Sequence, residues 1–538
     1  MSGATDVDVV VVGGGATGAG VLRDLAMRGL RATLVERGDF TSGTSGRYHG
    51  LLHSGARYVE SDPVSARHCI EENAVLRRIA PGTIEPTGGY FVATPDDPDD
   101  YLERFPTACA TAGIEAEPIS LDELFRAEPL LSREIRAAYR VPDASLEPWE
   151  LVDATIASAL EHGAHAHRYR PVIGFARDPD GRVTAVHTRD ARSGEEQWIA
   201  CRAVISAAGA WAGTVAEMAG AELHMRPGKG SMLIFNRRMT TAVVNRLAPP
   251  GDGDILVPVH TVCILGTTDI TIDDPDEGHV TREEVDALLA DGERLVPGIS
   301  NARVLRAYAG SRPLYDAAEF GDSGHADESR EISRAHHVID HGARDGVGGL
   351  WSIVGGKLTT YRLMARDVVD AVASALDNDA PCRTADEALP EPAAHSPYWL
   401  GGRLAAVEAE GGGDADLVCE CELVTRGRLS TVLDERADSS LDDLRRTTRL
   451  GMGPCQGAFC IPRATAMLDE RRADGRLAPE APDANAALRS FASERFRGTR
   501  PIAWGDQLTE LWLSAGIFRG TLAADDLPDA SEVPDAAR

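Results

Sequence analysis

Four cysteines near the end of the chain are spaced for chemistry rather than for cross-linking. Cys419 and Cys421 form a C-x-C pair, and Cys455 and Cys460 form a C-x4-C pair. Nine cysteines in 538 residues are too sparse for a disulfide scaffold, and close thiol pairs in a reducing compartment are a metal pattern. Four thiolates suit a tetrahedral zinc or an iron–sulfur cluster. Zinc sites more often use C-x2-C pairs, so the spacing leans toward iron and sulfur, with zinc as the alternative. Gly451, Gly453 and Gly457 lie around Cys455, in a loop whose amides can donate to cluster sulfurs. The other five cysteines (Cys69, Cys109, Cys201, Cys263 and Cys382) stand alone and read as small buried hydrophobes.

The second chemical signature is Gly13-Gly14-Gly15-Ala16-Thr17-Gly18, which satisfies G-x-G-x-x-G. That pattern is weak alone, but here it follows an apolar run (Val7 to Val12) and opens an amphipathic helix that Gly29 stops. A second strand ends on Glu36, placed to accept hydrogen bonds from an adenosine ribose. The glycines permit a tight turn, and the helix N-terminus offers free N–H groups to a pyrophosphate. NAD uses the same fold. The Gly- and hydroxyl-rich loop from Phe40 to Gly50, with Thr44 and Ser45, suits the longer ribityl-phosphate of FAD.

Oxidising an alcohol also requires a base for the hydroxyl proton and cations for a remote anionic handle. Only two of the 55 basic residues are lysine, Lys229 and Lys357, and both fall in glycine-rich loops. A chain that has otherwise replaced Lys by Arg keeps an ammonium where one is needed, which singles out Lys357. Lys229 either faces the flavin or caps a strand turn. Arg312 and Arg57 are the candidate anion ligands, with Tyr58 as a flanking donor. His53 is the candidate general base, since its ordinary pKa near ~6.5 suits proton abstraction, and His49 and Asp269 follow it. The stretch around His336, His337 and His341 has no ligand spacing and reads as a solvated loop.

These groups need elements to hold them. Strand, glycine turn, helix and strand at the start, with buried strands returning at 203–206 and 350–354, describe an α/β fold. An FAD-binding Rossmann-type domain is interleaved with an α+β substrate domain. The expected division is 1–378 for the oxidoreductase domain, with FAD-binding segments about 1–90, 145–225 and 345–378. A Pro/Ala/acid-rich linker (379–415) precedes a [2Fe–2S]-binding domain (416–470), a helical extension (471–522) and an acidic tail (523–538). The segment from Phe496 to Gly505, followed by Leu508, Leu511, Trp512 and Leu513, either docks a partner or packs on its own domain.

Several blocks resemble FAD-dependent glycerol-3-phosphate dehydrogenases. They are Gly50-Leu51-Leu52-His53-Ser54-Gly55-Ala56-Arg57-Tyr58, Ala207-Ala208-Gly209-Ala210-Trp211, Gly266-Thr267-Thr268-Asp269, Ala309-Gly310-Ser311-Arg312-Pro313-Leu314 and Gly355-Gly356-Lys357-Leu358-Thr359-Thr360-Tyr361-Arg362. The cysteine segment resembles the bacterioferritin-associated-ferredoxin-like [2Fe–2S] module that follows the flavin domain in anaerobic-type A (catalytic) subunits of that family. The resemblance implies flavin contacts from Gly13, Gly15, Ala16, Thr17, Gly18, Glu36, Thr44, Ser45, His49, Gly50, Leu52, Val172, Ala208, Gly209, Trp211, Gly356, Lys357, Leu358 and Thr359. It implies catalytic roles for Arg312, Lys357, His53, Arg57, Tyr58 and Thr359, and cluster ligation by Cys419, Cys421, Cys455 and Cys460. Some relatives carry a polar residue where Met232 stands, so any base at that position is replaced here by another group.

The implied activity is oxidation of glycerol 3-phosphate to dihydroxyacetone phosphate. Electrons would leave through the cluster to B and C partner subunits and membrane quinone. The alternatives are a related FAD enzyme acting on a 2-hydroxy acid or amine, or a non-catalytic flavin/iron–sulfur electron carrier. A net charge of −29, carried with arginine rather than lysine, reads as adaptation to a high-salt cytoplasm, and no basic stripe invites nucleic acid. No apolar stretch is long enough to span a bilayer, so the expected location is cytoplasmic, with membrane contact peripheral and through partners.

Overall fold

The computed structural model describes residues 7–315, 335–391, 400–521, 523 and 526–527. The first strand, β1 (Val7–Val12), is apolar on both faces because helices cover both faces of its sheet. It pairs in parallel with β2 (Ala32–Val35) on one side and Glu196–Ser206 on the other. Leu350–Gly355 continues the parallel set beyond Glu196–Ser206, and His165–His167 flanks β2. Helix α1 (Ala16–Met27) packs on this sheet with the helices Pro148–Glu161 and Tyr361–Ala375 in one core.

The second sheet is largely antiparallel and has nine strands. At its centre Gly228–Phe235 pairs with Val304–Arg312 and Val262–Gly266. Its core is separate, built from residues such as Phe235, Leu256, Leu265 and Leu288. The chain thus leaves the nucleotide-type sheet for the substrate-type sheet twice and returns each time, as the interleaving predicted.

Two expectations change. The 379–391 part of the expected linker is a strap, not a tether: buried Arg23 donates to the carbonyls of Thr384 (3.0 Å) and Glu387 (2.7 Å). Leu389 N donates to the Ile79 carbonyl at 2.7 Å, and beyond the strap Leu400–Glu410 is helical, with Arg403 buried. The backbone carbonyls of a polar, Pro-rich segment satisfy guanidinium donors that composition cannot reveal. The supposed loop at His336–His341 is likewise ordered. His336–Asp340 is a strand, and His341 is fully buried with Nε2 on Ser352 Oγ at 2.9 Å.

The cysteine-bearing region folds around its own core of Val432, Leu444, Ile461 and Leu468. The helix Ala484–Phe496 closes that core with Phe491, whose ring lies against Gly451 and Gly457. The chain then returns to the substrate sheet. Ala307 N donates to the Gly498 carbonyl at 2.9 Å, and Ile502 is buried in the substrate-sheet core. The Phe496–Gly505 segment therefore packs on its own molecule, while Trp512 and Leu513 are exposed. The acidic tail falls almost wholly outside the described residues.

Candidate active site and thiol centre

Gly13 takes φ +108°, and a Cβ there would stand 2.7 Å from the Ala207 carbonyl oxygen. At Gly18 a Cβ would stand 1.9 Å from the Gly13 oxygen, so helix and strand meet only through glycine. Gly15, the N-cap of α1, has no side-chain cap, which leaves amides of the first turn pointing outward. The Ala16 amide meets Ser45 Oγ at 3.0 Å, bringing the hydroxyl loop to the helix end. Thr17 Oγ1 lies 3.8 Å from Met364 Sδ.

Glu36 accepts from the amides of Gly14 (2.6 Å) and Gly38 (2.8 Å). Burial raises its pKa, and the two amides oppose that. Its carbonyl accepts from Arg170 N, two residues before Val172, so that segment borders the acid. Thr44 Oγ1 donates to the Ser311 carbonyl (2.6 Å), tying the loop to the substrate sheet. Ala208, Gly209 and Trp211 form a short turn after the strand Glu196–Ser206, with Arg37 over the indole at 4.3 Å. The free amides, the paired acid and the glycine cradles fit a dinucleotide such as FAD.

A second group of candidates converges beyond the loop. Leu52 is buried in a short strand, and Gly50 before it has φ +82°. His53 is buried, and its amide donates to Thr359 Oγ1 at 3.1 Å. Its ring lies 6.0 Å from that of His49 and 5.4 Å from that of Tyr58. Lys357 Nζ sits 4.3 Å above the Tyr58 ring, a cation–π contact. Gly355 and Gly356 both have positive φ, turning the chain so that Leu358–Thr360 opens the helix Tyr361–Ala375. Burial first, then the charges of Arg57 and Arg312, push the His49 pKa down to about 3. His49 Nδ1 and Arg57 Nη1 are buried without hydrogen-bond partners.

Arg57 pairs with Asp254. Burial works against its charge, and Asp254 outweighs it, leaving the pKa raised. Arg312 is held by Asp269 (2.8 Å), Thr267 Oγ1 (2.7 Å) and the Thr268 carbonyl (2.9 Å). The Gly-Thr-Thr-Asp block is therefore the mount of Arg312. Asp254 was missed, because a lone acid in a Gly/Pro/Asp stretch carries no pattern. Lys229 does not join this group: it is buried with Glu284 (3.1 Å) and the His279 carbonyl (2.9 Å). Met232 is also buried, in register opposite Gly266 and Tyr308.

The four thiols form two close couples. Cys421 Sγ is 3.8 Å from Cys455 Sγ, and Cys419 shares a hydrogen bond with Cys460 that lowers its pKa. Hydrogen bonding from Cys421, and then amides of Gly457, Phe459 and Ala458, lower the Cys455 pKa. Among the described residues no three or more His, Cys, Asp or Glu converge on a metal-ion site, and the four thiols stand as two pairs. Four soft thiols with amide donors on their sulfurs fit an iron–sulfur cluster.

The FAD dependent oxidoreductase family matches residues 8–362, and the BFD-like [2Fe-2S] binding domain matches residues 417–470. The class is thus an FAD-dependent oxidoreductase with an appended [2Fe–2S] domain. The chain belongs to the family of anaerobic glycerol-3-phosphate dehydrogenase A subunits. It is 43% identical to that subunit from Escherichia coli strain K12, over 95% of this chain and 96% of the relative. It is 41% identical to subunit A1 from Haloferax volcanii, over 97% and 92%. Among solved structures, glycerol-3-phosphate dehydrogenase from Bacillus halodurans complexed with FAD shares the fold, with a TM-score of 0.65, 22% identity, and 92% and 96% coverage.

Proposed function

We propose that the chain is the catalytic subunit of an sn-glycerol-3-phosphate:quinone oxidoreductase, converting glycerol 3-phosphate to dihydroxyacetone phosphate. The observation that carries this is the gathering of Arg57, Arg312 and His53 around His49, with Lys357 over Tyr58 beside them, and with Arg57 Nη1 and His49 Nδ1 buried without hydrogen-bond partners. A phosphate calls for arginine forks in fixed positions. Arg57 and Arg312 are each anchored by a carboxylate, Asp254 and Asp269, and offer the pocket a preset geometry. His53 takes the proton from the hydroxyl oxygen on C2. His49, kept neutral, accepts a substrate hydrogen bond, and Lys357 stabilises the developing oxyanion.

When bound, FAD would supply the hydride acceptor and a [2Fe–2S] centre would supply one-electron transfer. Residues Gly13 to Gly18, Glu36, Thr44, Ser45 and Gly356 to Thr359 hold the dinucleotide. Cys419, Cys421, Cys455 and Cys460 hold the cluster. Partner B and C subunits and membrane quinone receive the electrons. The chain sits in the cytoplasm, peripheral to the membrane through those partners. No helix among the described residues is long and apolar enough to cross a membrane. The acidic, lysine-poor composition suits high salt, in line with a relative from Haloferax volcanii.

The test is the visible spectrum of anaerobically purified protein. Flavin bands and a cluster shoulder that bleach with glycerol 3-phosphate, and not with glycine, proline or lactate, support the assignment. Bleaching by one of the latter set alone would overturn it.

A further inference from the structure

A cavity with a volume of about 1210 Å³ adjoins the site just described. It lies between the flavin loop, which contributes Arg47 and Tyr48, and the cysteine loop, which contributes Gly451, Met452 and Gln456. The substrate sheet supplies Arg306 and Tyr308, and the C-terminal segment supplies Glu494 and Arg497. His49 feels Arg57 and Arg312, while its neighbours Arg47 and Tyr48 line this cavity.

The charge of the cavity is opposite to that of the protein. Arg306, Arg445 and Arg497 share one carboxylate, Glu494, at 3.1, 3.8 and 3.7 Å. Arg445 has one further acid, Asp442, at 3.3 Å. Arg47 has no carboxylate at ion-pair distance among the described residues. Burial first, then Arg497 and Arg306, disfavour its charged form, with Glu494 and Asp276 opposing them. The Nε atoms of Arg306 and Arg445 are buried without hydrogen-bond partners. These four guanidiniums have two carboxylates, Glu494 and Asp442, at ion-pair distance among the described residues, inside a chain of net charge −29. Guanidiniums do not deprotonate to escape burial, and uncompensated buried charge is costly. Part of the wall is apolar and aromatic: Ile234, Val259, Ile264, Trp149 and Tyr308.

We propose that this cavity binds a phosphorylated organic ligand of mononucleotide size, its phosphate on the Arg47/Arg306/Arg445/Arg497 cluster and its ring against the apolar wall. The volume is ample for such a ligand. None of Arg57, Arg312, Lys357, His49 or His53 lines the cavity, so the site does not depend on which substrate those residues take.

The test uses the FAD-loaded full-length enzyme in equilibrium dialysis with GMP, guanosine and inorganic phosphate. GMP is expected to bind at least tenfold more tightly than either phosphate or guanosine. Arg47→Gln and Arg306→Gln should each weaken GMP at least tenfold with flavin content unchanged. Arg47→Gln removes a like-charge contact, so it is expected to fold. GMP binding no tighter than phosphate would reduce the site to a simple anion trap and overturn the proposal. Absence of GMP binding, or binding indifferent to both substitutions, would overturn it as well.

Discussion

Arg449, in the thiol-bearing domain, donates through Nη1 to Glu147 of the oxidoreductase domain at 2.7 Å. Its Nε meets Glu422, the neighbour of Cys421, at 3.1 Å. All three side chains are buried, and Arg403 also reaches Glu422 at 2.9 Å. One guanidinium thus rivets the two domains through the residue beside a thiol.

Breaking that rivet leaves two carboxylates short of a partner. Removing one member of a buried ion pair costs about 3–5 kcal/mol. Arg449→Met is expected to lower the thermal midpoint and slow reduction of the cluster after flavin reduction in stopped-flow absorbance. An unchanged midpoint would mean that the domains are held elsewhere.

Lys357→Ala and Arg312→Ala should each lower kcat/KM for glycerol 3-phosphate by roughly 10²-fold or more, with flavin content intact. Lys357→Arg is expected to rescue poorly, since a planar fork does not replace a compact ammonium above Tyr58. Steady-state dye reduction under nitrogen reads both.

Gly18→Ala places a Cβ where the Gly13 carbonyl oxygen stands. The helix must move off the strand, and the purified variant should show little absorbance near the flavin bands relative to protein absorbance. Full flavin loading would contradict the close approach.

Cys455→Ser should abolish the cluster signal while substrate still bleaches the flavin, because the thiols lie in a separate domain from the catalytic pocket. Iron analysis and anaerobic titration separate the two outcomes. Loss of flavin reduction as well would show that the domains do not function independently.

Burial and the nearby arginines hold His49 at about 3. Its unfolded pKa is near ~6.5, so between those values the unfolded chain binds the extra proton. Stability from this group is complete above the unfolded value and is lost as pH falls toward the folded one, by about 1.4 kcal/mol per pH unit. His49→Gln should flatten the acid limb of the unfolding free energy between pH 6.5 and 4, measured by urea titration. An unaltered slope would place the acid sensitivity in other groups.

The local signatures were legible because their physics is local. A dinucleotide turn needs glycines at fixed offsets after a strand, and close thiol pairs declare themselves by spacing. Arg57, Arg312 and Lys357 were singled out by motif and by the scarcity of lysine. Their mounts were only partly visible: Asp269 lay in a recognised block, while Asp254 did not. Lys229 carried the same scarcity signal as Lys357, yet it belongs to a buried pair with Glu284, 55 residues away. His341 looked solvated because its partner Ser352 lies on another strand.

By itself, the sequence determined the nucleotide-type fold, the order of its segments and the chemistry of its four thiols, since each depends on neighbours along the chain. The tertiary structure decided what lies between distant segments. It joined Arg449 to Glu147, made a strap of residues 380–389, and gathered Arg47, Arg306, Arg445 and Arg497 around one cavity. Charge–charge energies depend on distance and burial, and neither is written in the spacing of residues along a chain.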